Sequence, residues 1–505
     1  MTLEPLELLE RKEGKKLYDY QVEAIEKIFS RIRRFPDKYN LCFQLPTGGG
    51  KTVIFSEIAK RYIADYGKKV LILTHRIELL DQTSRMLDEA GVPTKIIVSK
   101  VKELPDQDDF KCFVAMVETL NNRLRDDKFE IEGVGLVIVD EAHYNSFRKL
   151  FRWFDEQIIL GVTATPLSSN VNLPLNENYQ ELIVGDSIST LIGKGFLSRA
   201  TTYSYDVSLH SLKIGINGDY TVSSSEKLYG NFFMQEKLLY SYEQMAKGTK
   251  TLIFNNGINT SKQVYQLFFN AGYEIRHLDN THSEQDRKEI LEWFRTKPDA
   301  ILTSVSILTT GFDEPTVSTI ILNRATKSLT LYHQMIGRGS RVIHGKKDFK
   351  VIDLGNNCRR FGLWEQHIDW QDIFAHPNSY IESIISDEVM EREMTYVMTP
   401  DVRERFGKSM LVEFDMQEEY NAAIRNSERT KDVLTKSIKQ HAAIIRENAE
   451  DVYDALELLR LLEPDIKSRV KHYSYCISKS TENYLAWLRD DYTRKLQQEI
   501  RTLYA

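Results

Sequence analysis

A short glycine-rich stretch near the start of the chain has the composition of a phosphate-binding loop. It reads Gln-Leu-Pro-Thr-Gly-Gly-Gly-Lys-Thr from Gln44 to Thr52. Glycines allow backbone N–H groups to approach a triphosphate closely, and a helix N-terminus adds partial positive charge. In such a loop Lys51 reaches the β- and γ-phosphates, and the Thr52 hydroxyl binds Mg²⁺. The candidate nucleotide-binding residues are therefore Pro46, Thr47, Gly48, Gly49, Gly50, Lys51 and Thr52.

A pair of carboxylates has the composition of a hydrolytic centre. The apolar run Gly135–Val139 predicts a buried strand, and Asp140 and Glu141 follow it directly. Because the carboxyl ends of parallel strands share one sheet edge, this pair should lie beside the predicted phosphates. Asp140 would then hold the Mg²⁺ shell, and Glu141 would act as general base on the attacking water. His143 would sense the state of the γ-phosphate and relay it.

Two arginines far along the chain could complete such a centre. Arg338 and Arg341 are spaced to lie on one face of a helical turn. Arginines so placed can reach a γ-phosphate across a cleft and stabilise the charge of the transition state. Viewed alone, two arginines at this spacing more often form a solvated basic face.

The elements that must position these residues alternate between strands and helices. Apolar runs at Leu41–Phe43, Val70–Thr74 and Ile158–Val162 predict parallel strands, and the segments between them have helical periodicity. Thr74 and Arg76 would lie at the carboxyl edge, where they could contact a nucleic-acid backbone. Thr163 and Thr165 would end a neighbouring strand, where their hydroxyls could bond to His143.

A second α/β pattern starts near Thr251 and has no phosphate-binding loop. It should therefore complete the nucleotide site of the first pattern rather than bind a nucleotide itself. Between the two, residues from about 167 to 248 are rich in turn signals, although the alternation over 201–207 predicts one strand. We interpret this segment as a connector.

Seven motifs in this order resemble those of superfamily 2 helicases. They are Gln21, the loop ending at Thr52, Thr74-His75-Arg76, Asp140-Glu141-Ala142-His143, Thr163-Ala164-Thr165, Thr309-Thr310-Gly311-Phe312-Asp313, and Gln334-x-x-Gly337-Arg338-x-x-Arg341. The runs Leu308–Pro315 and Tyr332–Gly339 resemble the RadD/XPB-like branch, which acts mostly on DNA. RadD-like proteins often carry a cysteine-rich zinc element, and this chain has none.

The resemblance implies two RecA-like domains with ATP in the cleft and nucleic acid across both. It implies that Gln334, Arg338 and Arg341 serve catalysis, with the arginines as fingers. Gly311 and Asp313 would approach the ribose. Contacts to the strand backbone would come from Thr74, Arg76, Thr119 and Thr309. Gln21 would read adenine, since its amide offers a donor and an acceptor; the alternative is an exposed helical glutamine.

Beyond about residue 377 the composition changes to a glycine-poor, charged region with apolar residues at helical spacing. A seam from Leu434 to Leu459 predicts one long helix, Glu463-Pro464-Asp465 breaks it, and a second helix follows. We expect a helical hairpin, which would support the preceding domains or dock a protein or nucleic-acid partner. The predicted organisation is an ATP-binding domain at 1–195, a connector at 196–245, a second domain at 246–376 and a helical region at 377–505.

The composition is that of an ordinary globular protein. The chain has 505 residues, with 42% hydrophobic and 28% charged residues and a net charge of −6. An acidic total does not exclude a local basic groove. We find neither a signal peptide nor an apolar run that could span a bilayer, and the four cysteines form no Cys-x-x-Cys pair. These features fit a reducing cytoplasm without membrane association.

The sequence therefore predicts an α/β protein that hydrolyses ATP, with Mg²⁺, to move along and unwind DNA. Binding to DNA should be largely independent of the base sequence. The process served would be repair, recombination or replication. The alternatives are a duplex translocase of a restriction or remodelling system, an RNA helicase, and an ATP-gated scaffold with little turnover.

Overall fold

The computed structural model describes residues 17–503 except 76, 90, 126–128, 171, 206, 306, 310, 311, 344, 388, 391–397, 410, 411, 413, 427 and 477–481. The chain folds as two compact units that divide between Ile385 and Ser386. Among the helices described, none has the length and apolar character needed to cross a membrane.

The strands all belong to the first unit. They are β1 Asn40–Gln44, β2 Lys69–Thr74, β3 Thr94–Ile97, β4 Cys112–Met116, β5 Val134–Asp140, β6 Ile158–Thr163, β7 Glu181–Val184, β8 Arg199–Ser204, β9 Thr251–Asn255, β10 Ile275–Leu278, β11 Ile301–Val305, β12 Thr319–Asn323 and β13 Asp348–Asp353, within the described part of the chain.

Helices connect these strands and cover both sheets. In the first unit they are α1 Asp19–Arg34, α2 Lys51–Tyr66, α3 Ile77–Glu89, α4 Val117–Arg123, α5 Arg148–Phe151, α6 Ile188–Gly193, α7 Val222–Tyr229, α8 Phe232–Met245, α9 Ile258–Asn270, α10 Glu284–Thr296, α11 Leu329–Ile336, α12 Asn357–Phe361, α13 Trp370–Ala375 and α14 Pro377–Ser383.

The first lobe is a parallel sheet in the order β3-β4-β2-β5-β6-β1-β7. Every residue of β2, β5 and β6 is buried, as expected for strands covered by helices on both faces. The carboxyl ends of β1, β2, β5 and β6 meet at one edge, so Gln44, Thr74, Asp140 and Thr163 lie along it. This is the edge at which open α/β sheets bind ligands.

The second lobe is a parallel sheet in the order β10-β11-β9-β12-β13-β8. Its edge strand β8 is the strand that the alternation predicts, and it pairs with β13. Helix α8 packs against α9 and β13. The second lobe therefore includes much of the segment that the sequence assigns to a connector at 196–245.

After the second sheet the chain returns to the first lobe. The Gln371 side chain on α13 donates from Nε2 to the Leu182 carbonyl of β7 at 2.9 Å, and Asn176 donates to the Ala375 carbonyl at 3.2 Å. At its start α13 carries the buried Trp370, whose ring lies 6.1 Å from that of His333 on α11. Helix α13 therefore contacts both lobes.

The second unit contains helices and no strands among its described residues. Its helices are α15 Pro400–Arg405, α16 Met416–Arg425, α17 Asp432–Asn448, α18 Val452–Leu461, α19 Glu463–Cys476 and α20 Glu482–Leu503. The fold class predicted from the sequence, two parallel-sheet lobes followed by a helical region, is confirmed.

The helical unit is a bundle, so the predicted hairpin is wrong. The long helix breaks after Asn448 because Asp451 caps a new helix, where its carboxylate accepts hydrogen bonds from the N–H groups of Tyr453 and Asp454 at 2.8 Å. Pro464 lies in the first turn of α19, where a proline is tolerated, and does not end the seam.

A polar network lies inside this bundle. His441 is fully buried; its Nε2 lies 2.8 Å from Asp465, and its Nδ1 lies 3.0 Å from the Tyr492 hydroxyl. Arg469 pairs with Asp465 at 2.8 Å. Burial, reinforced by the Arg469 charge and opposed by Asp465, lowers the pKa of His441 to about 4, so the imidazole is neutral.

Candidate active site

The phosphate-binding loop forms the turn between β1 and α2. Gly48 and Gly50 have φ of 91° and 83°, a backbone conformation that is strained for residues with a side chain. Gly50 is the N-cap of α2. Leu45 stands where the commonest form of this loop has its first glycine. It is fully buried, and a Cβ on Gly49 would lie 2.8 Å from its side chain. The leucine side chain therefore packs against the loop at Gly49.

Lys51 begins α2 and lies in the interior of the cleft. Its Nζ donates to the Leu45 carbonyl at 3.3 Å. Burial lowers the pKa of Lys51, while the Glu141 and Asp140 carboxylates act in the opposite direction. The lysine therefore lies between the loop and the carboxylate pair.

Asp140 ends β5 beside this lysine, and Glu141 follows it directly. Glu141 has a φ of 52°, which is unusual for a residue with a side chain, and its N–H donates to Asp140 Oδ1 at 3.0 Å. Burial and the Glu141 charge raise the pKa of Asp140 to about 7. Burial also raises the pKa of Glu141, but His143 and then Lys51 outweigh it and the net shift is downward.

These residues fit a divalent cation. The Glu141 Oε2 atom is buried without a hydrogen-bond partner in the described structure, and the Lys51 charge acts on both adjacent carboxylates. Carboxylate and hydroxyl oxygens, as on Asp140 and Thr52, are the donors that Mg²⁺ prefers.

A chain of polar contacts runs from the carboxylates to the second lobe. His143 Nδ1 lies 3.4 Å from Glu141 Oε2 and 2.9 Å from the Thr163 hydroxyl. The Thr163 hydroxyl donates to the Thr165 carbonyl at 3.0 Å. The Thr165 hydroxyl in turn donates to that of Thr330, on α11 of the second lobe, at 2.8 Å.

The second lobe contributes both arginines. Arg338 donates to the Phe312 carbonyl at 2.6 Å, and Arg341 donates to Asp313 Oδ1 at 2.7 Å. A Cβ on Gly48 would lie 2.6 Å from Arg341 Nη1, so the two lobes touch at the loop. One cleft is lined by Thr47, Gly48, Gly50, Lys51, Thr52, Asp140, Glu141, Phe312, Asp313, Arg338 and Arg341.

Four described residues predicted for nucleotide binding or catalysis are absent from the lining of this cleft: Gln21, Pro46, Gly49 and Gln334. Gln21 accepts a hydrogen bond from the Tyr18 N–H at 3.0 Å, and its Nε2 lies 2.6 Å from the position of a Cβ on Gly50. Gln334 is buried, and its Nε2 has no hydrogen-bond partner among the described residues.

The predicted nucleic-acid contacts are spread along the sheet edges. Thr74 and Thr309 are buried, and Thr119 is partly exposed on α4. Arg76, Thr310 and Gly311 lie outside the described residues. Contact of these residues with a strand backbone stays a prediction.

Three residues of the site were not predicted from the sequence. The Tyr20 hydroxyl donates to the Gly49 carbonyl at 2.8 Å, Phe312 accepts from Arg338, and Thr330 completes the polar chain. Tyr20 could have been found from its place beside Gln21. Phe312 acts through its backbone carbonyl, and Thr330 acts through a contact that exists only in the folded chain. Neither residue therefore has a signal in the sequence.

Two parallel-sheet lobes that share one cleft, with a phosphate-binding loop and a carboxylate pair on one side and two arginines on the other, define an ATP-driven nucleic-acid motor. Comparison with known proteins supports this assignment to a class of protein. Residues 14–168 match the family "Type III restriction enzyme, res subunit", and residues 233–342 match the "Helicase conserved C-terminal domain".

A 51.5 kDa protein of Lactococcus phage (isolate 7-9) is 30% identical over 335 residues, which cover 66% of this chain and 69% of the relative. IRC3 of Saccharomyces cerevisiae, whose name places it among ATP-dependent helicases, is 29% identical over 358 residues, covering 67% of this chain but 51% of IRC3. The chain belongs to the superfamily 2 helicases.

One solved structure resembles nearly the whole chain. It is the ATP-dependent Type ISP restriction-modification enzyme LlaBIII bound to DNA, with a TM-score of 0.53 and 15% identity, covering 98% of this chain and 42% of LlaBIII. At this identity the likeness describes the fold alone, and it supports the two RecA-like domains.

Proposed function

We propose that this protein hydrolyses ATP to move along DNA and to separate its strands. The observation that carries the proposal is the shared cleft, in which Lys51, Asp140 and Glu141 of one lobe face Arg338 and Arg341 of the other. Turnover in such a cleft requires both lobes, so each cycle of closing and reopening can shift the grip on a strand.

Each cleft residue has a role in this proposal. Backbone N–H groups of the loop and Lys51 bind the β- and γ-phosphates, and Gln21 reads the adenine. Glu141 takes the proton of the attacking water, and its Oε2 accepts no hydrogen bond from a described residue. Arg338 and Arg341 neutralise the charge that develops on the phosphates, while Gln334 supports them and Gly311 and Asp313 approach the ribose.

Thr52 and Asp140 would hold Mg²⁺ in this site. A bound Mg²⁺ neutralises phosphate charge and would also relieve the repulsion between the two carboxylates. His143, Thr163 and Thr165 then connect the γ-phosphate to α11 through Thr330, so that hydrolysis is coupled to lobe movement.

DNA would cross the carboxyl edges of both sheets, with Thr74, Arg76, Thr119 and Thr309 against its backbone. Because these contacts are to phosphates and sugars, binding would be salt-sensitive and largely independent of sequence. The runs Leu308–Pro315 and Tyr332–Gly339 support a place in the RadD/XPB-like, DEAH-containing branch, with work in repair, recombination or replication.

The test is the ATPase rate with no nucleic acid, single-stranded DNA, duplex DNA, branched DNA and RNA, at one salt concentration. We expect DNA to stimulate turnover and RNA to have little effect. A fluorescent strand-displacement assay on the best DNA form then measures unwinding. Equal turnover in every sample would contradict a motor, and stimulation by RNA alone would reassign the track.

A second candidate is a duplex translocase of a restriction or remodelling system, which moves without separating strands. The match to the restriction-enzyme family over 14–168 favours it. Displacement of a third strand from a triplex, measured beside strand separation on the same duplex, distinguishes the two. Triplex displacement without strand separation would support the translocase.

A further inference from the structure

A buried lysine just after the two arginines has no part in the roles above. Lys346 is 9% exposed, and it follows Arg341 in a tight turn that its own N–H closes by bonding to the Ile343 carbonyl at 3.0 Å. A long cationic side chain is costly to bury, so its partners need an explanation.

The Lys346 ammonium group donates to two backbone carbonyls in the cleft segments. Its Nζ lies 2.8 Å from the Gly339 carbonyl oxygen and 2.9 Å from that of Pro315. Gly339 lies between the two arginines in sequence, and Pro315 closely follows Asp313. The lysine therefore joins the turn 337–341 to the loop 312–315.

Two further bonds join the same two segments, and both use the arginines. Arg338 bonds to the Phe312 carbonyl and Arg341 to Asp313. A guanidinium has five N–H donors, so either arginine can release these partners as it turns towards the phosphate oxygens. The lysine link does not use an arginine, so it is the link that can stay intact during that exchange.

The Phe349 ring packs closely against the turn 337–341 at Gly339. A Cβ on Gly339 would lie 2.3 Å from the Phe349 ring, and Lys346 Nζ lies 5.9 Å from the centre of the same ring. The turn is therefore held between Phe349 and the ammonium group.

We propose that Lys346 is a positioning residue that keeps the arginine-bearing turn attached to the loop 312–315 while Arg338 and Arg341 exchange their protein partners for phosphate oxygens. This inference rests on the proposed ATP hydrolysis. Lysine serves the task because one ammonium reaches both carbonyls, whereas an apolar side chain would leave them unpaired.

The test compares Lys346→Met, which keeps the bulk but removes the donors, with Lys346→Arg, which keeps donors for both carbonyls. Steady-state ATPase with saturating DNA should show kcat about 10- to 100-fold lower for Lys346→Met, with the KM for ATP within about twofold. Lys346→Arg should recover most of the loss. The matched control is Lys350→Met, which removes an ammonium bond to the Met245 carbonyl elsewhere in this lobe.

A double-mutant cycle separates positioning from general stability. If Lys346 acts through the arginines, Lys346→Met added to Arg341→Ala should lower kcat much less than it does in the wild type, whereas a purely structural loss would add in full. The inference would be overturned by additive losses, by an unchanged kcat in Lys346→Met, or by failure of Lys346→Arg to recover activity. A wild type without ATPase activity would instead contradict the proposed function.

Discussion

Three observations at Glu141 bear on the role of general base that we propose for it. Its backbone is in the left-handed region, its Oε2 lacks a hydrogen-bond partner in the described structure, and its pKa is lowered by His143 and Lys51 against the effect of burial. Strained backbone and unsatisfied buried atoms concentrate at functional sites, where the surroundings hold them in place.

Glu141→Gln should therefore abolish turnover and keep nucleotide binding. We expect kcat to fall by about 10²–10⁴-fold, the range for loss of a general base. The dissociation constant of a fluorescent ATP analogue should change by no more than about threefold. A variant that hydrolyses ATP at even a tenth of the wild-type rate would show that another group activates the water.

Gly48 tests whether lobe contact at the loop matters for turnover. Gly48→Ala places a methyl group 2.6 Å from Arg341 Nη1 and in a strained backbone conformation. Gly67→Ala is the matched control, since its φ is also positive but its Cβ would meet nothing within 4 Å. Both should lose about 1 kcal/mol of stability, measured by urea unfolding, while only Gly48→Ala should lower DNA-stimulated ATPase activity. Equal activity in the two variants would argue against the contact.

At the scale of elements, the parts of the site that could be predicted are those encoded locally. The loop from Gly48 to Thr52 and the pair Asp140–Glu141 each follow an apolar strand, so the rule for parallel sheets is enough to place them on one edge. The break at Asp451 also had a local signal, a capping residue before Val452, which the apolar seam obscured.

The parts that could not be predicted depend on pairing between distant residues. Thr165 and Thr330 are 165 positions apart, and Gly339 and Pro315 meet at Lys346 only because their segments pack side by side. Neither contact follows from periodicity or from a motif.

Helix α11 should transmit the nucleotide state through the Thr165–Thr330 bond. Thr330→Val removes that bond, worth about 0.5–1.5 kcal/mol, and should reduce stimulation of the ATPase by DNA several-fold while basal turnover stays near wild type. Thr249→Val removes a bond of equal length, 2.8 Å to Thr319, inside the second lobe. The prediction fails if both variants respond to DNA as the wild type does.

At the scale of the whole molecule, two separate cores stabilise the chain, one for each unit. The buried core of the first unit spans both lobes, and the core of the second lies within its helical bundle. The polar network around His441 is enclosed by the second core, so its ionisation should affect that unit.

The helical unit should lose stability in mild acid. The folded pKa of His441 is about 4, below the ordinary value of 6.5, so the unfolded chain binds a proton that the folded chain excludes. This contribution is complete above pH 6.5 and declines as pH falls towards 4. Urea unfolding at pH 7 and pH 5 should show the decline, and His441→Gln should reduce it. A pH-independent wild type would contradict this assignment.

The return of α13 to the first lobe has a consequence for aggregation. Strand β7 is the outermost strand beside β1, and an outer strand offers unpaired backbone groups to any other extended chain. The Gln371 side chain, 189 positions further along the chain, donates a hydrogen bond to one of these groups, the Leu182 carbonyl. A partly synthesised or partly unfolded first lobe has this edge open, so its resistance to intermolecular pairing depends on the second lobe being complete.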